Sequence, residues 1–177
     1  MNFDAPFIDR LREQDPKALK EWYIETFPIL MAQAARFFPQ ESEQIIAVHN
    51  TQLKALKHLD RFSPGTIMEA WLATILRHEL IDLYRRQKRW HLRILDAQFE
   101  ASFEPDFTIE LDQQKELQMV ENVLALLPKT TRFVFSLCVY EQMKPKEIAE
   151  HLQMNIGTVR WHLKSARQTL KKNWTHE

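Results

Sequence analysis

The sequence predicts an all-α protein: two small helical domains joined by an acidic linker, the second ending in a helix-turn-helix. Three observations carry this expectation. Apolar residues recur at the helical period along most of the chain. Only 2 of the 177 residues are Gly, against 8 Pro, too few for the tight turns and bulges of a β-rich fold. Charge is segregated although the net charge is zero: residues 1–94 carry 14 basic and 12 acidic side chains, residues 95–112 carry six acidic and no basic ones, and residues 113–177 carry 10 basic and six acidic. The predicted domains are therefore 1–94, a linker over 95–113, and 114–177.

Each element has a local reason. Phe7, Ile8 and Leu11 open a first helix. Asp15 caps a second, with Pro16 at its first position and Ala18, Leu19, Trp22 and Tyr23 on its apolar side. Pro28 is expected to kink or restart that helix. Pro39 with the polar run after it makes a turn, and residues 43–60 read as a long helix. Ser63-Pro64-Gly65 is a breaker-rich exposed loop. Residues 67–92 contain no Gly or Pro and read as one helix. The strip DAQFEASFEPDFTIELD reads as a linker of low intrinsic order, with a short amphipathic helix bearing Phe99, Phe103 and Phe107 as the alternative. Helices are expected again near 113–126, 128–140, 145–152 and 155–172.

Composition excludes several classes of function. The two glycines, Gly65 and Gly157, are too far apart for a glycine-rich phosphate cradle. The single Cys138 rules out an internal disulfide and a cysteine zinc site, suits a reducing cytosol, and reads as buried filler. The seven histidines show no metal-binding spacing, so no metal or cofactor is expected. No apolar run approaches a membrane span, and the first ten residues lack a signal peptide's apolar stretch, so a cytoplasmic protein without a membrane partner is expected. Glu79 and Asp82 read as helix-surface partners of Arg86 and its neighbours rather than as a catalytic pair. An enzyme is the least favoured reading.

Two stretches are informative. In the first, Pro145 starts a short helix with Ile148, Ala149 and Leu152 inward. A four-residue turn follows, and Asn155 caps a helix with Ile156, Val159, Leu163, Ala166 and Leu170 on one stripe. This is the grammar of a helix-turn-helix. Its outer face carries Gly157, Thr158, Trp161, Lys164, Ser165, Gln168 and Lys172, flanked by Arg160, Arg167 and Lys171. Such a face can neutralise phosphates and present donors to base edges. In the second, FSPGTIMEAWLATILRHELIDLYRRQKRW, Leu72, Ile75, Leu76 and Leu83 form the buried side. Arg77, Arg85 and Lys88 lie opposite, with His78 and Arg89 beside them, a stripe suited to a nucleic-acid backbone. Arg61, Phe62 and Ser63 lie in the loop before it. Phe62 either holds an unstacked base or pins the loop to the core.

The phrase LDRFSPGTIMEAWLATILRHELIDLYRRQKR resembles region 2 of the extracytoplasmic-function sigma factors of RNA polymerase, members of the sigma-70 family. The phrase LPKTTRFVFSLCVYEQMKPKEIAEHLQMNIGTVRWHLKSARQTLKK resembles their region 4. Both halves occur in the family's order, and the resemblance covers about residues 5–172. It implies a non-enzymatic factor that binds core polymerase and directs promoter recognition, DNA melting and initiation. Helix 43–60, with His49, Asn50, Leu53, Lys54 and Lys57, matches the segment that docks on the β′ clamp. Arg61, Phe62 and Ser63 match the loop that captures a flipped −10 base. Arg77, His78, Arg85, Lys88 and Arg89 match the contacts to duplex and melted −10 DNA. Asn155, Thr158, Arg160, Trp161, Lys164 and Arg167 match the reader of the −35 element. The linker resembles the family's acidic link through the polymerase. The β flap, promoter DNA and an anti-sigma factor are the further implied partners.

The sequence departs from the family pattern at three places. His49 and Asn50 stand where Gln and Glu are usual, His78 where Asn is usual, and Trp161-His162 where a small polar residue and Arg are usual. Two rival readings differ in what they predict. A conventional helix-turn-helix regulator binds duplex DNA without polymerase, usually as a dimer. A sigma-like adaptor keeps the shape without opening promoters.

Overall fold

The computed structural model describes residues 3–63, 65–95 and 124–174. The acidic strip and the expected helix start at 113 lie outside the described residues. Every regular element among the described residues is a helix, so the all-α expectation holds.

In α1 (Ala5–Arg12) the Asp4 carboxylate accepts from the Phe7 N–H at 2.9 Å, and Phe7, Ile8 and Leu11 are buried. In α2 (Pro16–Ala35) Asp15 caps as expected, accepting from the Ala18 N–H at 2.8 Å. Ala18 and Trp22 are buried, whereas Tyr23 is exposed. Helix α2 is not restarted at Pro28. Proline removes the bond to the carbonyl four residues back. Here Pro28 and Ile24 are both exposed, on the side of the helix that the core does not cover.

Helix α3 (Glu41–Lys57) begins and ends before the expected 43–60. A 3₁₀ turn, Leu59–Arg61, takes over and buries Leu59. Helix α4 (Met68–Leu95) is continuous. The C-terminal helices are α5 (Lys129–Val139), α6 (Pro145–Leu152) and α7 (Ile156–Trp174).

The chain divides into two compact units, residues 1–82 and 83–177, so that the division falls inside α4. In the first unit α1 and α3 pack on α2. Trp22, Leu30, Phe37, Phe38, Leu72 and Leu76 are among its largest buried side chains. Its buried polar groups bond to one another: the Thr26 hydroxyl donates to the Trp22 carbonyl at 2.8 Å and accepts from Gln52 Nε2 at 3.0 Å. In the second unit α5 and α6 pack on α7. Phe133, Val134, Leu137, Ile148, Leu152, Val159 and Ala166 are buried there.

Candidate nucleic-acid interface

The helix-turn-helix of the second unit is built by local chemistry. At the start of α6 the Glu147 carboxylate accepts from the Lys144 N–H at 2.6 Å, which satisfies a donor the helix leaves unpaired. Pro145 stands in the first turn, where its missing N–H costs nothing. Ile148, Ala149 and Leu152 are buried. The turn itself is Gln153, Met154 and Asn155, one residue shorter than the expected four. It reverses through a left-handed residue, Gln153, at φ 50° and ψ 51°, with the Met154 N–H bonded to the Ala149 carbonyl at 2.9 Å. Asn155 Oδ1 then accepts from the Gly157 N–H at 2.7 Å. A Cβ on Gly157 would come within 3.0 Å of that oxygen, so glycine suits the cap.

Helix α7 buries Val159, Leu163 and Ala166, while Ile156, in its first turn, is exposed rather than part of the buried stripe. The outward residues are as expected: Asn155, Thr158, Arg160, Trp161, Lys164 and Arg167 are all exposed. No carboxylate occurs from Ile156 to Trp174. Trp161 is 61% exposed. Its ring meets the His162 ring edge-on, with centroids 4.9 Å apart. His162 Nδ1 is 2.9 Å from the hydroxyl of Thr131 on α5. Burial lowers the His162 pKa below the ordinary imidazole value, which favours the neutral ring.

The residues of the expected −10 surface fall into two groups. Arg61, Ser63, His78 and Arg89 are exposed, and Arg77 and Lys88 are half-buried. Phe62 is different. It is only 5% exposed and packs on Trp71 with ring centroids 5.3 Å apart. The Arg12 guanidinium donates to its carbonyl at 3.3 Å. Of the two roles open in the sequence, this packing is that of a ring that pins the loop. Next to it, Gly65 adopts φ +92°, a conformation strained for any residue with a Cβ.

Arg85 is also engaged. Within the second unit its Nε donates to the His151 carbonyl in the last turn of α6, where a cation meets the negative end of the helix dipole. Its neighbour Tyr84 stacks on Phe133 at 4.4 Å and donates to the Thr130 hydroxyl at 3.3 Å. Burial pushes the Tyr84 phenol above its ordinary pKa, with the Thr130 bond opposing.

On α3, His49, Leu53, Lys54 and Lys57 are exposed and Asn50 half-buried. Leu53, at 66% exposed, continues a stripe with Ile46 and His49. Sequence reasoning missed the aromatic residues of α2 beside it. Tyr23 stacks on Phe27 at 5.2 Å, and its hydroxyl lies 3.3 Å from His49 Nε2. The available signal was that α2 is apolar around more than one face. Lys54, although exposed, forms an ion pair with the buried carboxylate of Glu79 on α4. Glu79 is 3% exposed, so its partner is Lys54 on another helix rather than Arg86 on its own. Cys138 is half-buried rather than fully buried.

Among the described residues there is no cluster of three or more metal-ligating side chains, and no helix is long and apolar enough to cross a membrane. The family model for sigma-70 region 2 matches residues 25–90, and that for sigma-70 region 4 matches residues 117–170. The chain is 27% identical to the ECF RNA polymerase sigma factor EcfG of Rhodopseudomonas palustris, over 86% of this chain and 83% of that one. It is 23% identical to the RNA polymerase sigma-H factor of Pseudomonas aeruginosa, over 96% and 92% of the two chains. Among solved structures, the sigma factor RpoE of Bartonella quintana, crystallised with the anti-sigma factor NepR, superposes with a TM-score of 0.52. That match is 25% identical and covers 91% of this chain and 99% of RpoE.

Proposed function

The chain belongs to the extracytoplasmic-function group of the sigma-70 family and is a sigma factor that directs promoter recognition; from this we infer how its two halves divide the work. Residues 114–177 read the −35 element as duplex, through Asn155, Thr158, Arg160, Trp161, Lys164 and Arg167. Residues 1–94 dock on the β′ clamp through His49, Asn50, Leu53 and Lys57 of α3. They engage −10 DNA through Arg61, Ser63, Arg77, His78, Lys88 and Arg89. Residues 95–113 tether the two. The observation that carries this reading is the carboxylate-free outer face of α7 behind a well-capped turn, in a chain whose other half matches region 2.

Opening the promoter needs no catalysis by this chain. Melted DNA is held because it binds better than duplex to the first module and the polymerase, which shifts the equilibrium. The zero net charge fits a factor whose own DNA affinity is weak and whose polymerase supplies the remaining contacts. Such a factor works in the cytoplasm. RpoE is bound by an anti-sigma factor, and a protein antagonist of similar kind is an expected partner here. Phe62 packs on Trp71 and Lys54 pairs with Glu79 within the first unit, and Arg85 donates to the His151 carbonyl, so these three join the contacts only by leaving those partners.

The test is run-off transcription with core polymerase on a genomic library. A defined set of new start sites is expected. With Arg160→Gln and Lys164→Gln together, the salt slope of holoenzyme binding should fall by about 1.8, at ~0.9 per lost phosphate contact. A chain that fails to associate with core polymerase, yet grips operators tightly alone, would refute the reading.

A further inference from the structure

An indole at the centre of a cationic, carboxylate-free helix face needs a physical reason. The neighbours Arg160, Lys164 and Arg167 are exposed and suit phosphates. Trp161 does not, because it carries no charge and is mostly apolar. Its ring nonetheless has a neighbour. It meets His162 edge-on, and His162 Nδ1 lies 2.9 Å from the buried Thr131 hydroxyl. The indole is thus exposed beside a neighbour that is itself hydrogen-bonded to the helix-turn-helix core. Trp161 also lies in the N-terminal half of α7, the part of a recognition helix that enters the major groove.

The floor of that groove is mostly hydrogen-bond donors and acceptors. Its one apolar group is the C5-methyl of thymine. We propose that Trp161 makes α7 a reader of thymine methyl groups, so that it sets a base preference in the −35 element by apolar contact. The proposal rests on α7 being the −35 reader and adds what one of its side chains recognises. Uracil keeps every polar edge of thymine and lacks only the methyl. It therefore separates methyl contact from hydrogen bonding by the indole N–H.

The experiment uses holoenzyme assembled from core polymerase and the full chain, on a promoter found by run-off transcription. Each thymine of the −35 element, on either strand, is replaced singly by deoxyuridine, and binding is measured by competition. One thymine is expected to lose about fourfold in affinity on demethylation, the equilibrium equivalent of ~0.8 kcal/mol for one buried carbon. That loss should vanish in Trp161→Ala and persist in Trp161→Phe, with both variants melting as the unaltered protein does. Three outcomes overturn the proposal. No thymine is methyl-sensitive; or the deoxyuridine loss is unchanged in Trp161→Ala; or Trp161→Ala binds the promoter normally but escapes a protein antagonist, which assigns the indole to that partner. If scrambling the whole −35 element leaves initiation unchanged, the assignment of α7 as its reader falls too, and that control is read before any methyl is removed.

Discussion

Replacing Lys54 by Met tests whether this lysine holds the first unit together or faces a partner. The Glu79 carboxylate is 3% exposed, while the Lys54 side chain is 53% exposed. Two unit charges about 4 Å apart attract by about 4 kcal/mol at an effective dielectric of about 20. Removing one member of a fully buried pair costs about 3–5 kcal/mol, because the other charge is stranded. Exposed pairs contribute about 0–1 kcal/mol. With one partner buried and the other half in water, the expected loss for Lys54→Met lies between, at about 2 kcal/mol. For a unit of this size that corresponds to a drop in melting temperature of about 10 °C, readable by calorimetry of the full chain. Glu79→Gln removes the stranded charge. The Lys54→Met, Glu79→Gln double variant should therefore recover more than half of the loss, and a double-mutant cycle should return a coupling near 1.5 kcal/mol. If Lys54→Met melts within about 2 °C of the unaltered protein, or the double variant is no more stable than the single, the pair does not support the fold. The double variant also separates the roles in binding: with stability restored, association with core polymerase should be near normal.

Two further outcomes follow from the same structure. Phe62→Ala should destabilise the first unit by about 3 kcal/mol through loss of a buried ring against Trp71. Phe62→Leu, which keeps much of the apolar volume, should restore most of the stability and initiation; a stable Phe62→Ala that fails only in promoter opening would refute the anchoring role. For His162, burial lowers the folded pKa below the ordinary 6.5, so between the two values the unfolded chain binds more protons than the folded one. The stability contributed by the neutral ring is therefore complete above about pH 6.5 and is lost as pH falls towards the folded pKa. Melting temperatures from pH 7.5 to 5, compared with His162→Gln, should show the unaltered protein losing more on acidification; parallel curves would refute it.

The elements were legible where their causes are local. Asp15 with Pro16, Pro145 and Asn155 each mark a helix start through bonds or sterics spanning at most four residues, and each start lies where expected. The inner faces of α6 and α7 follow from helical period alone, because burial of that face was what the period recorded. The exceptions are Ile156, exposed in the first turn of α7, and Leu170, half-buried near its end.

The site was less legible because spacing along one helix does not say what crosses to another. Sequence placed Arg77, Arg85 and Lys88 on one stripe, but only the packed structure sends Arg85 to the carbonyl end of α6. Likewise Glu79 had helix neighbours at pairing distance in sequence, yet burial turned it to Lys54, the cation that reaches it across α3 and α4. The chain by itself determined its helices, its region-2-like and region-4-like halves and the cationic outer face of α7, since these depend on periodicity, caps and composition. Tertiary structure decided which charged and aromatic side chains remain available. A buried carboxylate, carbonyl or ring takes whichever partner packing brings within reach, and that proximity is set by residues far apart in the sequence.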